Sequence, residues 1–210
     1  MKKIVSSSKT NPNFIIMNFA IPIQLTYSRL ELIIRVLFGS IYIGIPHGFL
    51  LALLSLWGLL LNIIAFFSIL FKGNYPSSLF DYQAQLICWD LRVDARLLHL
   101  ADGYPPFGLT ATDEAVVFEV KAPPETSRLL TLIRFFLGWL YVGIPHYFIL
   151  FFRTLWGVIL SFFAFWNVLF TKRYPVNWHR FWVENLRWST RVKLYLSFMS
   201  EEYPPFHGKA

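Results

Sequence analysis

The sequence is short of charge and nearly without cysteine. Only 15% of its 210 residues are Asp, Glu, Lys or Arg, against roughly 25% in a soluble domain. Two stretches carry next to none: Val36 to Phe71 has no such residue, and Phe135 to Phe170 has only Arg153. Runs of that kind argue against a water-soluble globular domain. The single cysteine, Cys88, excludes an internal disulfide and a cysteine-based metal cluster. Also missing are the GxSxG, HExxH, P-loop, GxGxxG and CxxC patterns. Acyl, phosphoryl and hydride transfer lack their usual parts, so the expectation is a protein that is not an enzyme, with no cofactor and no metal.

What the chain does have is apolar and aromatic: 56% of residues are hydrophobic and 19% are Phe, Trp or Tyr. Each uncharged run exceeds the roughly 20 residues that span a bilayer's hydrocarbon. The N-terminal MKKIVSSSKTNPNF begins like a signal peptide but has no apolar core behind it. It reads as a polar cytoplasmic tail over residues 1–13.

The rest is one unit written twice, over residues 14–109 and 113–208. GIPH occurs at Gly44 and Gly143, LWG at Leu56 and Leu155, and YP at Tyr75 and Tyr174. Trp89, Arg92 and Val93 match Trp188, Arg191 and Val192, and YPPF stands at Tyr104 and Tyr203, always 99 residues apart. Met17, Phe19 and Ile21 align with Val116, Phe118 and Val120, an alternation that predicts a short strand leading into each unit, roughly Phe14–Ile21 and Val116–Val120. These strands are free either to pair with each other across the repeat axis or to offer an edge to a partner chain.

IPH ahead of a long apolar segment, LF followed by YP, RWSTRV at Arg187 to Val192, and an acid two residues before YPPF together resemble a bacterial membrane family, domain of unknown function 4389. The resemblance covers both repeats and is closer in the second; the first has CWDLRV in place of RWSTRV. It implies a membrane location and a repeated architecture, and no activity.

Proline removes a backbone donor and disfavours helix in the residue before it, so Pro46 and Pro145 read as breakpoints. Breaking there predicts two helical hairpins, four crossings in all, with GIPH as the far-side turn and nearly every Lys and Arg on the cytoplasmic side, as the positive-inside rule prefers. The alternative is a single crossing per repeat, with inverted units. His47 and His146 are then polar residues of interfacial turns, or, less simply, a pair of ligands for haem, pigment or metal.

After each YP turn, apolar residues recur at helical spacing: Tyr82, Leu86, Trp89, Val93, Leu97 and Leu100 in the first copy, Phe181, Trp188, Val192, Leu196 and Met199 in the second. These are expected to be amphipathic helices lying in the membrane interface. Arg29, Arg35 and Arg92, their partners Arg128, Arg134 and Arg191, and the second copy's Arg180, Arg187 and Lys193 are candidates for anionic lipid headgroups. The one acid kept in both copies, Asp102 or Glu201, is placed to clip one of these arginines. YPPF is expected to end the amphipathic helix and pin it to the neighbouring unit. Arg153 has no counterpart, Leu54 standing there in the first copy, and a charge inside an apolar run points to function.

The fold class expected is therefore a mainly α membrane protein: a tandem unit of short β-strand, transmembrane helical hairpin and interfacial amphipathic helix. The expected role is a scaffold or accessory subunit of a larger complex in the bacterial inner membrane, multi-pass with cytoplasmic termini, binding membrane lipids and other membrane subunits and no nucleic acid. The alternative is a small transporter or lipid-handling protein with its path between the repeats.

Overall fold

A computed structural model describes residues 17–123 and 126–209. The expected polar tail, and residues 14–16 of the first strand, lie outside them. Among the described residues are four helices, α1 (Arg29–Lys72), α2 (Ser77–Leu97), α3 (Arg128–Thr171) and α4 (Val176–Leu196), with strands β1 (Asn18–Ala20) and β2 (Val117–Glu119).

The expected hairpins do not form. α1 and α3 each run unbroken for 44 residues through the GIPH segment, about 66 Å at 1.5 Å per residue. The backbone admits the proline by widening. Residues Ser40–Gly44 and Trp139–Gly143 form a π turn in which Ile45 N–H bonds to Ser40 O and Ile144 N–H to Trp139 O. A proline inside an α-helix clashes with the carbonyl four residues back; the wider turn just before Pro46 and Pro145 relieves that contact without reversing the chain. The π turn also keeps one face in register. Leu32, Arg35, Gly39, Ile43 and His47 are all buried, and the three successive steps of four residues would drift off a 3.6-residue repeat if no extra residue were taken up.

Both long helices begin on a serine cap, Ser28 accepting from Glu31 N–H and Ser127 from Leu130 N–H. They end on a left-handed residue, Gly73 at φ 79° and Lys172 at φ 59°. α2 and α4 then fold back along the inner faces. Gln83 donates to Gly58 O at 2.6 Å, and Trp182 donates to Ser161 Oγ at 2.8 Å.

The repeats are related by a pseudo-two-fold axis. β1 and β2 pair antiparallel with Phe19 opposite Phe118, the same position of each repeat, so the strands meet each other across the axis. The backbone bonds Tyr27 N–H to Lys172 O and Thr126 N–H to Gly73 O are each other's symmetry mates. They join the start of each long helix to the end of the other, so α1 and α3 lie antiparallel, with Phe66 stacked on Phe135 at 4.1 Å. One hydrophobic core draws on both halves: Phe19, Phe66, Ile87 and Leu91 with Trp182 and Leu186.

The outer faces of α1 and α3 are apolar along their whole length. Exposed Ile33, Phe38, Phe49, Trp57, Ile64 and Phe71 mark this face on α1, and Ile133, Phe136, Phe148, Trp156, Phe163 and Phe170 on α3. Both helices are long and apolar enough to cross a membrane.

Candidate functional site

The polar groups of the apolar runs point inward. His47 and His146 are fully buried. In each repeat the tryptophan 42 residues further on, Trp89 or Trp188, donates its indole N–H to the histidine Nδ1, at 2.9 and 2.8 Å. That bond requires an unprotonated Nδ1, which fixes each imidazole as the neutral Nε2–H tautomer. The ring face is covered by the last residue of YPPF, Phe107 at 3.9 Å and Phe206 at 4.0 Å, both stacked. The YPPF tyrosine closes the cradle from the side: Tyr104 OH donates to Tyr42 O and Tyr203 OH to Tyr141 O. In the second copy His146 Nε2 also meets Tyr203 OH at 3.2 Å, whereas His47 Nε2 has no partner. The two histidines are thus not turn residues; each sits inside a helix and in its own aromatic cradle. Among the described residues no group of three or more His, Cys, Asp or Glu could hold a metal ion.

The arginine clip forms twice. Arg35 donates to Asp102 Oδ1 at 2.5 Å and to the carbonyl of Ala101. Asp102 also accepts from the Ser28 N–H at the head of α1. Arg134 repeats the arrangement with Glu201 at 2.7 Å and Ser200 O at 2.5 Å, its guanidinium 4.8 Å over the Tyr195 ring. These contacts tie the segment after each amphipathic helix to the first turns of the long helix.

The other candidate arginines divide in two. Arg92 is buried and donates to Gly108 O and Ala111 O; Arg191 does the same job for His207 O and Lys209 O. Arg187 holds Gly208 O and Phe19 O, linking the C-terminal segment and β1 to α4. Gly208 lies so close to α4 that a Cβ there would stand 1.7 Å from Glu184 O. Lys193 pairs with Asp90 at 2.5 Å. Arg29, Arg128 and Arg180 are exposed, Arg29 reaching Phe170 O at 2.7 Å. Arg153 turns inward: its Nε meets Asn185 Oδ1 at 3.3 Å and its guanidinium lies 4.6 Å over the Phe181 ring. It is a cation–π and hydrogen-bonded link between α3 and α4.

The electrostatics of the polar layer follow from burial. Asp94 is pushed up to about 7, by desolvation first and by Asp90 second, with Lys193 opposing. Burial alone would lower the Lys193 ammonium, but Asp90 and Asp94 outweigh it and raise it. His99 is lowered to about 4, by desolvation first and by Arg35 second.

A further asymmetry breaks the repeat. In the second copy Trp182 lies against Gly157, where a Cβ would come within 2.5 Å of the indole. The first copy has Gln83 in that place, beside Gly58. There a cavity of about 290 Å³ stays open, lined by Leu51, Gly58, Asn62, Gln83, Asp90 and Lys193 among others. A second, of about 180 Å³, shares Leu59 and Asn62 with it and reaches Arg134 and Trp139.

Sequence reasoning foresaw the clip from the single repeated acid. It missed the Trp–His pairs, although their constant separation was visible in both copies, and it missed the π turns, which leave no composition signal.

No curated protein and no solved structure matches the chain. The family model for a domain of unknown function, number 4389, matches residues 29–108 and again 129–207. The chain therefore belongs to that family and holds two tandem copies of its domain.

Proposed function

We propose that the protein is a non-enzymatic membrane scaffold or accessory subunit of a larger complex, working at the bacterial inner membrane with its polar layer and termini on the cytoplasmic side. The observation that carries this reading is the paired outer face of α1 and α3, apolar from end to end, beneath which buried ionisable side chains are engaged in bonds within the fold. His47, His146, Arg35, Arg134 and Arg92 hold the fold together, which suits a structural part better than a reaction centre. Exposed Arg29, Arg128 and Arg180 remain available to anionic headgroups, worth about 1 kcal/mol each near the surface. The test is purification of the tagged full-length chain from native membranes in mild detergent. Reproducible protein partners at constant ratio are expected.

The open cavity of the first repeat favours a second reading, a lipid-handling role, because its lining joins apolar residues to Gln83, Asn62 and the Asp90–Lys193 pair. A chain purified without partners but with a co-purifying lipid lost on Gly58→Trp would replace the scaffold reading with this one.

A further inference from the structure

We propose that the two long helices lie in the plane of the membrane, embedded by their outer faces in a single leaflet, so that the protein is monotopic rather than spanning. This rests on the membrane reading above and goes beyond it. Three independent features lead to it.

The first is the symmetry. Antiparallel helices related by a two-fold axis are perpendicular to that axis. If α1 and α3 stood along the bilayer normal, the axis would lie in the membrane plane at the depth of the helix midpoints. The β1–β2 pair sits on the axis, since Phe19 faces Phe118. A two-stranded sheet with open edges, exposed Asn18 and Glu119, would then sit in hydrocarbon, where unpaired backbone groups are not tolerated. With the helices in the plane, the same axis runs along the normal. The strands, α2 and α4 then stack on the water side.

The second is length. The exposed apolar face of α1 runs from Ile33 to Phe71, about 57 Å at 1.5 Å per residue, and the matching face of α3 is similar. A hydrocarbon core is about 30 Å thick, so an upright helix would leave roughly half its greasy face in water. One leaflet, about 15 Å deep by the same measure, accommodates a helix of about 10 Å diameter lying flat.

The third is charge. Because the helices are antiparallel, exposed cations stand at both ends of the pair: Arg29 with Lys172 and Arg173 at one, Lys72 with Arg128 at the other. Upright helices would place them on opposite sides of the membrane, against the positive-inside rule. Flat helices put all five at one interface, around the rim of the apolar face, where anionic headgroups complement them.

The experiment measures depth along the helix. In a Cys88→Ser background of the full chain, single cysteines replace Leu37, Leu53, Ile64 and Phe71, all exposed on the outer face of α1. Each is spin-labelled and reconstituted in vesicles of phosphatidylethanolamine and phosphatidylglycerol. Relative accessibility to oxygen and to a water-soluble nickel chelate then gives depth. The expected result is one shallow depth at all four sites. A depth that changes by about 1.5 Å per residue along the helix, deepest near Leu53, would overturn the monotopic arrangement while leaving the membrane reading intact. Labels open to nickel at all four sites, or buried against a second copy with spin–spin broadening, would overturn both. Wild-type protein supplies a check that needs no variant. Its eight tryptophans emit together, and with Trp57, Trp139, Trp156 and Trp166 exposed on the long helices the summed emission is expected to be quenched most by lipids brominated at a shallow position; stronger quenching by deep bromines would overturn the proposal.

Discussion

His47 and Arg35 show what a polar side chain does in this molecule. Each is placed on an otherwise apolar helix, turned inward, and given a designated partner, Trp89 of α2 for His47 and Asp102 of the segment after α2 for Arg35. The clip is expected to be the more costly to break. Arg35 is almost wholly buried and Asp102 largely so, and truncating one member of a buried ion pair costs about 3–5 kcal/mol. Asp102→Ala should therefore lower the thermal midpoint in detergent well below that of Trp89→Phe, which removes the one bond to His47 Nδ1 at about 1–3 kcal/mol; a smaller loss for Asp102→Ala would contradict the clip's role. His99 gives the pH dependence. Its folded pKa, about 4, lies below the ordinary 6.5, so the unfolded chain takes up the proton first as the solution is acidified. The neutral ring favours the fold above pH 6.5, and that advantage is lost between pH 6.5 and about 4, at most about 3 kcal/mol in total. The second repeat has Phe198 at this position, also at positive φ. His99→Phe should thus fold and should flatten the urea-unfolding stability curve over that window. The clip was legible because only one acid recurs in both copies. The cradle was not, since identity in both copies marks a residue without saying which other residue it meets.

At the scale of the element, Pro46 and Pro145 misled. A proline in a long apolar run invites a break, and the breaking rule is sound for a strict α-helix. The backbone instead took the one local change that removes the clash while keeping the helix, an extra residue in the turn before it. The stripe of buried residues was available as a clue: a run of four-residue steps from Arg35 to His47 suits a widened turn, but reading it requires knowing which residues are buried. The amphipathic α2 and α4, by contrast, stood out from their apolar spacing alone; they begin after the YP turn and end at Leu97 and Leu196, short of the last residues of the stripes, Leu100 and Met199. These points yield a paired expectation. Deleting Ile41 removes the extra residue and rotates everything beyond it by about 100°, carrying Gly58, Leu61 and Ala65 out of the core. Pro46→Ala keeps the residue count and hence the register. In detergent, the deletion should abolish the cooperative melting transition seen by circular dichroism, and the substitution should keep it; a deletion variant that melts like wild type would show the π turn to be incidental.

For the whole molecule, the decisive fact is that neither repeat is complete alone. β1 belongs in sequence to the first repeat, yet it pairs with β2 and is held by Arg187 of the second. Tyr27 and Thr126 each bond to the far end of the other long helix, and the core is shared. Duplication was plain in the sequence, whereas this interlocking was not, because a repeat's period says nothing about whether its copies stack or exchange parts. The charges show what the second copy adds. Asp94 and Lys193 occupy the same position of the repeat and lie within electrostatic reach of each other. A homodimer of the first half would turn Asp94 toward Asp94, and one of the second half Lys193 toward Lys193; like charges so placed oppose pairing. Cutting the chain between residues 112 and 113 should thus leave two fragments that assemble when co-expressed with different tags, recovered as a one-to-one pair by tandem affinity purification and native mass measurement. Each fragment alone should aggregate or be degraded. A stable homodimer of either half at neutral pH would refute the charge argument, and a well-folded monomer of either half would refute the shared core.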